Sequence, residues 1–166
     1  EKASLYAEHL IDLVRGLAKL IGWDVIEVKG ATGYVDTNYA GKGEAAVKAL
    51  DKYDLVCVHV EAPDEAGHNA DIKAKVHAIS QLDKHIVGPV LKRLQAEGDQ
   101  WRLMVLPGHP TPCAVRTHTP QPGPFAIAGG RVESVGTGPV NAETAAPSDP
   151  SIARGGGIMG VLVTGR

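Results

Sequence analysis

The feature that most constrains the fold is a run of seven residues, DLVCVHV, at positions 54–60. The run is nearly all apolar and rich in β-branched valine, which is typical of a strand buried on both faces. Similar short runs occur at 24–28, 102–106 and 124–129, and helix-like segments separate several of them. Strands that alternate with helices predict an α/β layered fold, with a mostly parallel sheet flanked by helices.

The helical segments are recognised by apolar residues that recur every three or four positions. One pattern runs from 4 to 21 and ends at Gly22, and a shorter one covers 44–50. The longest runs from 72 to 94, where the dipeptide Gly88-Pro89 predicts a kink or a break, because proline cannot donate to the preceding helical turn.

Composition excludes several classes of function. The chain of 166 residues suits one domain, and its net charge of −2 gives no reason to expect nucleic acid or an anionic membrane as partner. No apolar run approaches the roughly 20 residues of a membrane span, and no signal-peptide pattern precedes the first helix. The two cysteines, Cys57 and Cys113, are predicted to be reduced thiols in a cytoplasmic protein.

Two polar clusters follow predicted strands. PDEAGH at 63–68 comes two residues after VCVHV, and PGHP at 107–110 directly follows LMVL. In open α/β sheets, ligands gather at the carboxyl ends of the strands. The two clusters are therefore expected to lie near each other and to form one site.

The residue types in these clusters predict a metal site. Asp64 and His68 are four residues apart, and His109 and His118 lie in a loop stiffened by several prolines. Carboxylates and imidazoles that converge are the ligands that divalent cations prefer. The alternative is that Asp64 and His68 cap the following helix, while His109 and His118 bond to carbonyl groups of their loop.

Other histidines are assigned ordinary roles. His59, in the strand that leads to the first cluster, is predicted to be a core residue or to support the site from behind. The three histidines on helical patterns are predicted to be solvated; they are His9, His77 and His85. Cys113 is predicted to pack among the prolines rather than to bind a metal.

Long stretches of the chain resemble the archaeal-type, cofactor-independent phosphoglycerate mutases. The resemblance is carried by VHVEAPDEAGHNAD, by KVHAISQLDKHIVGPVL and by LPGHPTPCAVRTHTPQPGPFAIAG. The upstream stretch LVRGLAKLIGWDVIEVKGATGYVDTNYAGKGEAAVKAL is also similar to this family. The similarity runs from about residue 2 to 130, covers less than half of a full family member, and implies an alkaline-phosphatase-like fold.

The resemblance implies a centre for two divalent ions, commonly Mn, Mg or Zn. Asp64, His68 and His118 match the ligands of the first ion, and His109 matches a ligand of the second. In the family an aspartate precedes that histidine, whereas this chain has Gly108. We therefore expect one well-held ion, with the second site weakened by the loss of a carboxylate.

The family interconverts 3-phosphoglycerate and 2-phosphoglycerate in glycolysis through a phosphoserine. Nothing in this chain matches the nucleophilic serine or the N-terminal aspartate ligand, so the isolated chain is expected to be inactive. Lys2 and Arg116 are candidate substrate-binding residues. The expected partners are a small phosphorylated metabolite and a missing N-terminal half of the same enzyme.

Two alternatives to a mutase stay open at this point. The chain could be a degenerate family member that works as a metal-binding or interaction module, or a phosphotransferase that acts on another small phosphorylated metabolite. Residues 1–130 are predicted to be the C-terminal portion of the metal-binding domain. Residues 131–166 are predicted to be an irregular segment that packs back through 158–163, and the start at Glu1 suggests a piece of a longer polypeptide.

Overall fold

The computed structural model describes residues 13–133, 141–145, 152 and 154–164. The helical residues 13–20 are α1. The other helices are α2 (Tyr39–Ala49), α3 (Ala62–His68), α4 (Ile72–Leu82), α5 (Gly88–Gln95), α6 (Ala142–Ala145) and α7 (Ile158–Thr164), with a π-helical turn at Asp83–Val87 and a 3-10 turn at Gly155–Gly157. The strands are β1 (Arg102–Val105) and β2 (Ala126–Gly129). Within these ranges no helix has the length and apolar character needed to cross a bilayer.

The sheet differs from the one predicted. The described residues contain a single sheet, the antiparallel pair β1–β2, in which Arg102 faces Gly129 and Val105 faces Ala126. The predicted strands at 24–28 and 54–60 are not assigned as strands. A strand is stabilised by hydrogen bonds to a neighbouring strand, and no described segment pairs with either of these two. The mostly parallel sheet is therefore not found in the described part of the chain.

The long helical pattern is present, and its predicted irregularity is a π-helical turn. This turn, Asp83–Val87, joins α4 to α5, and the backbone N–H of Gly88 donates to the carbonyl of Asp83, five residues back. Pro89 has no N–H to donate to the carbonyl of His85, and its ring would crowd that carbonyl in a regular α-helix. The π-helical turn before Pro89 is wider and relieves this conflict, so the helix continues from α4 into α5.

Contacts divide the chain into two compact units. The first consists of the described residues up to Val90 together with Thr111–His118, and the second of Leu91–Pro110 and the described residues from Thr119 onward. The core of the first unit is small, with buried residues from three helices and the π turn: Tyr39, Ala62, Ala78 and Ile86, with Val58, Val60 and Leu82 packed against them.

The second unit is organised around β1. Helix α7 packs against this strand. The guanidinium of Arg102 donates to the carbonyls of Leu162 and Val163, at 3.1 and 2.6 Å. These carbonyls lie in the last turn of α7, where no intrahelical donor is left for them. Arg102 thus acts as a C-terminal cap supplied from a strand.

Gly43 lets α2 pack closely against the π turn in the first unit. A Cβ at this position would collide with the carbonyl oxygen of His85 and lie 3.3 Å from the Cα of Ile86. Both are backbone atoms, so they cannot move aside as the end of a flexible side chain could. The packing of α2 on the π turn therefore depends on the absence of a side chain at position 43.

We expect Gly43→Ala to lower the free energy of unfolding by about 1–3 kcal/mol, because the added methyl group forces α2 away from the π turn. Gly16→Ala is the matched control, since Gly16 is also helical and a Cβ there would meet nothing within 4 Å. The control is expected to be unchanged or stabilised by up to about 1 kcal/mol. Urea denaturation measures both values, and equal stabilities for the two variants would contradict this account of the packing.

Candidate metal centre

The PDEAGH cluster is a short helix rather than a loop. Helix α3 spans Ala62–His68, with Pro63 in its first turn, where proline removes no helical hydrogen bond. Asp64 and His68 are four residues apart and therefore lie on the same face of the helix. The Nε2 atom of His68 is 3.2 Å from Oδ2 of Asp64.

The loop 111–118 brings His118 to the same carboxylate. A turn shapes the loop, in which the backbone N–H groups of Val115 and Arg116 both donate to the carbonyl of Pro112, at 3.0 and 2.9 Å. Arg116 has φ of 60°, in the left-handed region. The Nε2 atom of His118 then lies 3.5 Å from Oδ1 of Asp64 and 3.2 Å from Nε2 of His68.

A backbone contact fixes which nitrogen of His68 faces the cluster as an acceptor. Nδ1 of His68 is 3.0 Å from the carbonyl oxygen of Arg116. A carbonyl can only accept, so Nδ1 carries the proton and donates it. In the neutral ring, Nε2 then has a free lone pair directed at Asp64 and His118. This is the tautomer that a metal-binding histidine adopts when a carbonyl orients it.

The donor set fits a divalent cation. The three donor atoms of Asp64, His68 and His118 lie within 4.8 Å of one another. The Nε2 atoms of His68 and His118 are 3.2 Å apart; the first lies 3.2 Å from Oδ2 of Asp64 and the second 3.5 Å from Oδ1. Ligand atoms at about 2.0–2.2 Å from one tetrahedral ion are roughly 3.3–3.6 Å apart, so these separations are of the size that a shared ion requires. Two imidazoles and one carboxylate form a ligand set that suits zinc and manganese.

Further carboxylates concentrate negative charge around Asp64. Glu61 and Glu65 offer oxygens that group with those of Asp64 within 4.8 Å. Burial, followed by the neighbouring charge of Asp64, raises the pKa of Glu65. Glu61 is buried and its Oε2 lies 3.1 Å from Nε2 of His59. His59 is exposed, so it is not the core residue that was one of its two predicted roles, and a supporting role at the site stays a prediction. A cation bound at Asp64 would relieve the repulsion among these groups.

The helix-capping alternative for Asp64 and His68 is wrong. The following helix, α4, is capped by Asp71, whose side chain accepts from the backbone N–H of Ala74 at 2.9 Å. Asp64 instead accepts a hydrogen bond from the hydroxyl of Thr111, and its side chain is only 14% exposed. Its carboxylate faces the imidazoles of His68 and His118, as the carboxylate of a metal ligand would.

The other candidate site residues are His109, Arg116 and Lys2. His109 is exposed in the loop after β1, in the second compact unit, and its part in a metal site stays a prediction. Gly108, beside it, would have nothing within 4 Å of an added Cβ. The side chain of Arg116 is exposed while its carbonyl orients His68, and Lys2 lies outside the described residues.

Sequence reasoning did not find the groups that hold the loop against α3. Thr111 is 4% exposed and donates to Asp64, and Lys75 donates to the carbonyl of Thr111. The only signal for Thr111 in the sequence is its place between Pro110 and Pro112, which fixes the backbone but does not point to a carboxylate.

Comparisons with known proteins identify the family to which the chain is similar. A family profile described as the metalloenzyme superfamily matches residues 4–154. The 2,3-bisphosphoglycerate-independent phosphoglycerate mutase of Methanothrix thermoacetophila is 52% identical over 122 residues, or 74% of this chain and 31% of its own. The enzyme of that name from Methanosarcina barkeri is 42% identical over 154 residues, or 92% and 39%.

One solved structure has a fold similar to that of this chain. The PH0037 protein from Pyrococcus horikoshii superposes with a TM-score of 0.75 at 34% identity, over 80% of this chain and 39% of that one. The present chain thus spans only about a third of the length of the curated relatives described above, at 31% and 39%.

We expect the 166-residue chain to bind about one equivalent of a divalent ion, because three ligands converge within 4.8 Å. His118→Ala removes one of the three and is expected to weaken binding by more than about 100-fold, since loss of a residue that merely supports a ligand already costs about 10–100-fold. His77→Ala, on an exposed face of α4, is the control and is expected to bind as the wild type does. Calorimetric titration with Zn²⁺, together with elemental analysis, measures both; equal metal content in the two variants would contradict the assignment.

Proposed function

The chain belongs to the metalloenzyme superfamily, and we propose that it is the metal-holding, C-terminal part of a 2,3-bisphosphoglycerate-independent phosphoglycerate mutase. The observation that carries the proposal is the convergence of Asp64, His68 and His118, which come from two separate motifs. Both motifs lie within the stretch that relatives bearing this name share with the chain. The reaction is a phosphoryl transfer that interconverts 3-phosphoglycerate and 2-phosphoglycerate.

The chain's own residues prepare the site for this chemistry. A bound divalent ion, Mn, Zn or Mg, supplies positive charge that stabilises the charge developing on phosphoryl oxygens. Asp64 provides the negative charge that holds such an ion, and the hydroxyl of Thr111 fixes the orientation of its carboxylate. The carbonyl of Arg116 keeps His68 in the tautomer that binds through Nε2.

In this proposal the nucleophile comes from outside these 166 residues. No serine of this chain matches the one that the family uses, and the chain spans about a third of its relatives. We assign the missing groups to the portion of the family's enzymes that this chain does not match. That portion would be in the same polypeptide or in a separate chain. That remainder would supply the serine, the second aspartate ligand and most of the substrate contacts.

An apolar face on the first unit is suited to receive that remainder. An open groove of about 600 Å³ is lined by α1 and by the segments 23–28 and 55–59, among other residues. Leu17 and Ile21, which line it, are 53% and 64% exposed, and contiguous exposed apolar side chains of this size are typical of an interaction surface. Segments 24–28 and 55–60 are mostly apolar and form no strand ladder among the described residues. Strand addition would bury both the side chains and the backbone groups.

Gly108 favours a second candidate function. Without a carboxylate next to His109, the second ion of the family loses charge and a ligand, and a module that binds one ion and a partner protein would not need it. The space around Gly108 is open, with nothing within 4 Å of an added Cβ, so a carboxylate can be restored there without a clash. The two functions can therefore be distinguished by experiment.

A chimera can be made in which this chain replaces the matching segment of the Methanothrix thermoacetophila mutase. We expect this chimera to have mutase activity. The 166-residue chain alone is expected to give no conversion of 3-phosphoglycerate, because it lacks the nucleophile. His118→Ala in the chimera is expected to lower kcat/KM by more than about 100-fold. Gly108→Asp is expected to raise both turnover and bound metal, from about one to about two equivalents. A folded, metal-loaded chimera that is inactive with either residue at 108 would contradict the mutase proposal and favour the binding module.

We expect backbone amides of residues 24–28 and 55–60 to exchange with deuterium rapidly in the chain alone and slowly in the chimera. The reason is that strand pairing protects amides which are open to water in the unpaired segments. Amides of α4, already hydrogen-bonded in the helix, serve as the internal control and are expected to change little. Equal exchange at 24–28 and 55–60 in both proteins would show that this face does not receive the remainder.

A further inference from the structure

Lys75 reaches from α4 to the loop that carries His118. Its Nζ atom donates to the carbonyl oxygen of Thr111 at 2.6 Å, across 36 positions of sequence. Lys75 is half-buried and Thr111 is 4% exposed, so the contact is shielded from water. Hydrogen bonds from a charged donor are among the stronger ones, and shielding increases their strength.

Thr111 connects this contact to the metal cluster. Its hydroxyl donates to Oδ1 of Asp64, the oxygen that also lies 3.5 Å from Nε2 of His118. Thr111 is thus bound at its carbonyl by an ammonium group and at its hydroxyl by a ligand carboxylate. The loop that begins at this residue ends seven positions later at His118. The placement of Thr111 therefore governs both the orientation of Asp64 and the approach of His118.

The surface of α3 is shaped to accept this arrangement. A Cβ at Gly67 would collide with the carbonyl oxygen of Thr111 and would lie 2.9 Å from Nζ of Lys75. Gly67 is buried and directly precedes His68. The missing side chain lets the loop backbone lie directly on the helix that supplies two of the three ligands.

We infer that Lys75 is a positioning residue of the metal centre, which holds Thr111 and thereby sets the distance of His118 from Asp64 and His68. The inference rests on the proposed metal-binding function. It assigns a role to a residue outside both ligand motifs. The ammonium group acts on the ion only through Thr111, so Lys75 determines the geometry of the ligand set rather than forming part of it.

The test compares Lys75→Met with Lys73→Met in the 166-residue chain. Methionine keeps the length and apolar stem of lysine and removes the donor, and Lys73 is exposed on the same helix. Titrations with Zn²⁺ give the affinity, and the visible absorption of bound Co²⁺ reports ligand geometry. Lys75→Met is expected to weaken Zn²⁺ binding by about 10–100-fold and to change the Co²⁺ spectrum, as for other residues that orient ligands. Lys73→Met is expected to match the wild type in both.

Two further variants separate positioning from simple stabilisation. Lys75→Arg restores a charged donor and is expected to recover most of the affinity and the wild-type spectrum. Thr111→Val keeps the carbonyl that Lys75 binds but removes the hydroxyl that holds Asp64, and it is expected to change the Co²⁺ spectrum as Lys75→Met does. If Lys75→Met does not fold, these two variants decide the question.

The outcomes distinguish this inference from the function on which it rests. Wild-type chain that binds neither Zn²⁺ nor Co²⁺ would refute the metal site itself. Wild-type binding together with unchanged affinity and spectrum in Lys75→Met would refute only the role of Lys75. A loss of thermal stability in metal-free Lys75→Met, with an unchanged Co²⁺ spectrum, would likewise assign Lys75 to stability alone.

Discussion

The carboxylate of Asp64 is the group on which the arrangement of the first unit depends. It receives the hydroxyl of Thr111 and lies within 3.2–3.5 Å of the Nε2 atoms of His68 and His118. Because the side chain is only 14% exposed, its negative charge is poorly solvated and must be balanced by nearby donors or a cation. Two hydrogen bonds hold the loop 111–118 against α3. One runs from the hydroxyl of Thr111 to Asp64, and the other runs from Nδ1 of His68 to the carbonyl of Arg116.

The rest of the unit provides a platform for that group. Helices α3 and α4 pack against each other, and α2 packs on the π turn through Gly43. The core is made of small residues and a few larger ones, and apolar side chains in the segments 24–28 and 55–60, such as Ile26 and Leu55, are exposed. A large apolar surface stays exposed there, while the metal cluster is already formed. The two features together fit a chain that contributes ligands to a site and takes a larger share of its core from elsewhere.

Sequence patterns located local features well and long-range pairing poorly. The sequence predicts the helical period over 72–94 and strands at 102–106 and 124–129, because periodicity and β-branched runs reflect burial of nearby residues. The structure has these two strands at Arg102–Val105 and Ala126–Gly129. The predicted parallel sheet is not found among the described residues, since the choice of a neighbour for a strand depends on segments far along the chain. The π turn also differed from a simple kink, because Pro89 is accommodated by the preceding turn and not at its own position.

The sequence by itself determined which residues could serve as ligands: Asp64 and His68, four positions apart, and His109 and His118 in a proline-rich loop. Chemistry restricts which residues bind cations, so these could be named without coordinates. Only the tertiary structure decided which nitrogen of His68 faces the cluster, and which groups hold the loop in place. Thr111 and Lys75 are 36 positions apart, and no local pattern links a lysine to a distant carbonyl. Their contact exists because the fold buries Thr111 and half-buries Lys75, and polar groups removed from water must find partners.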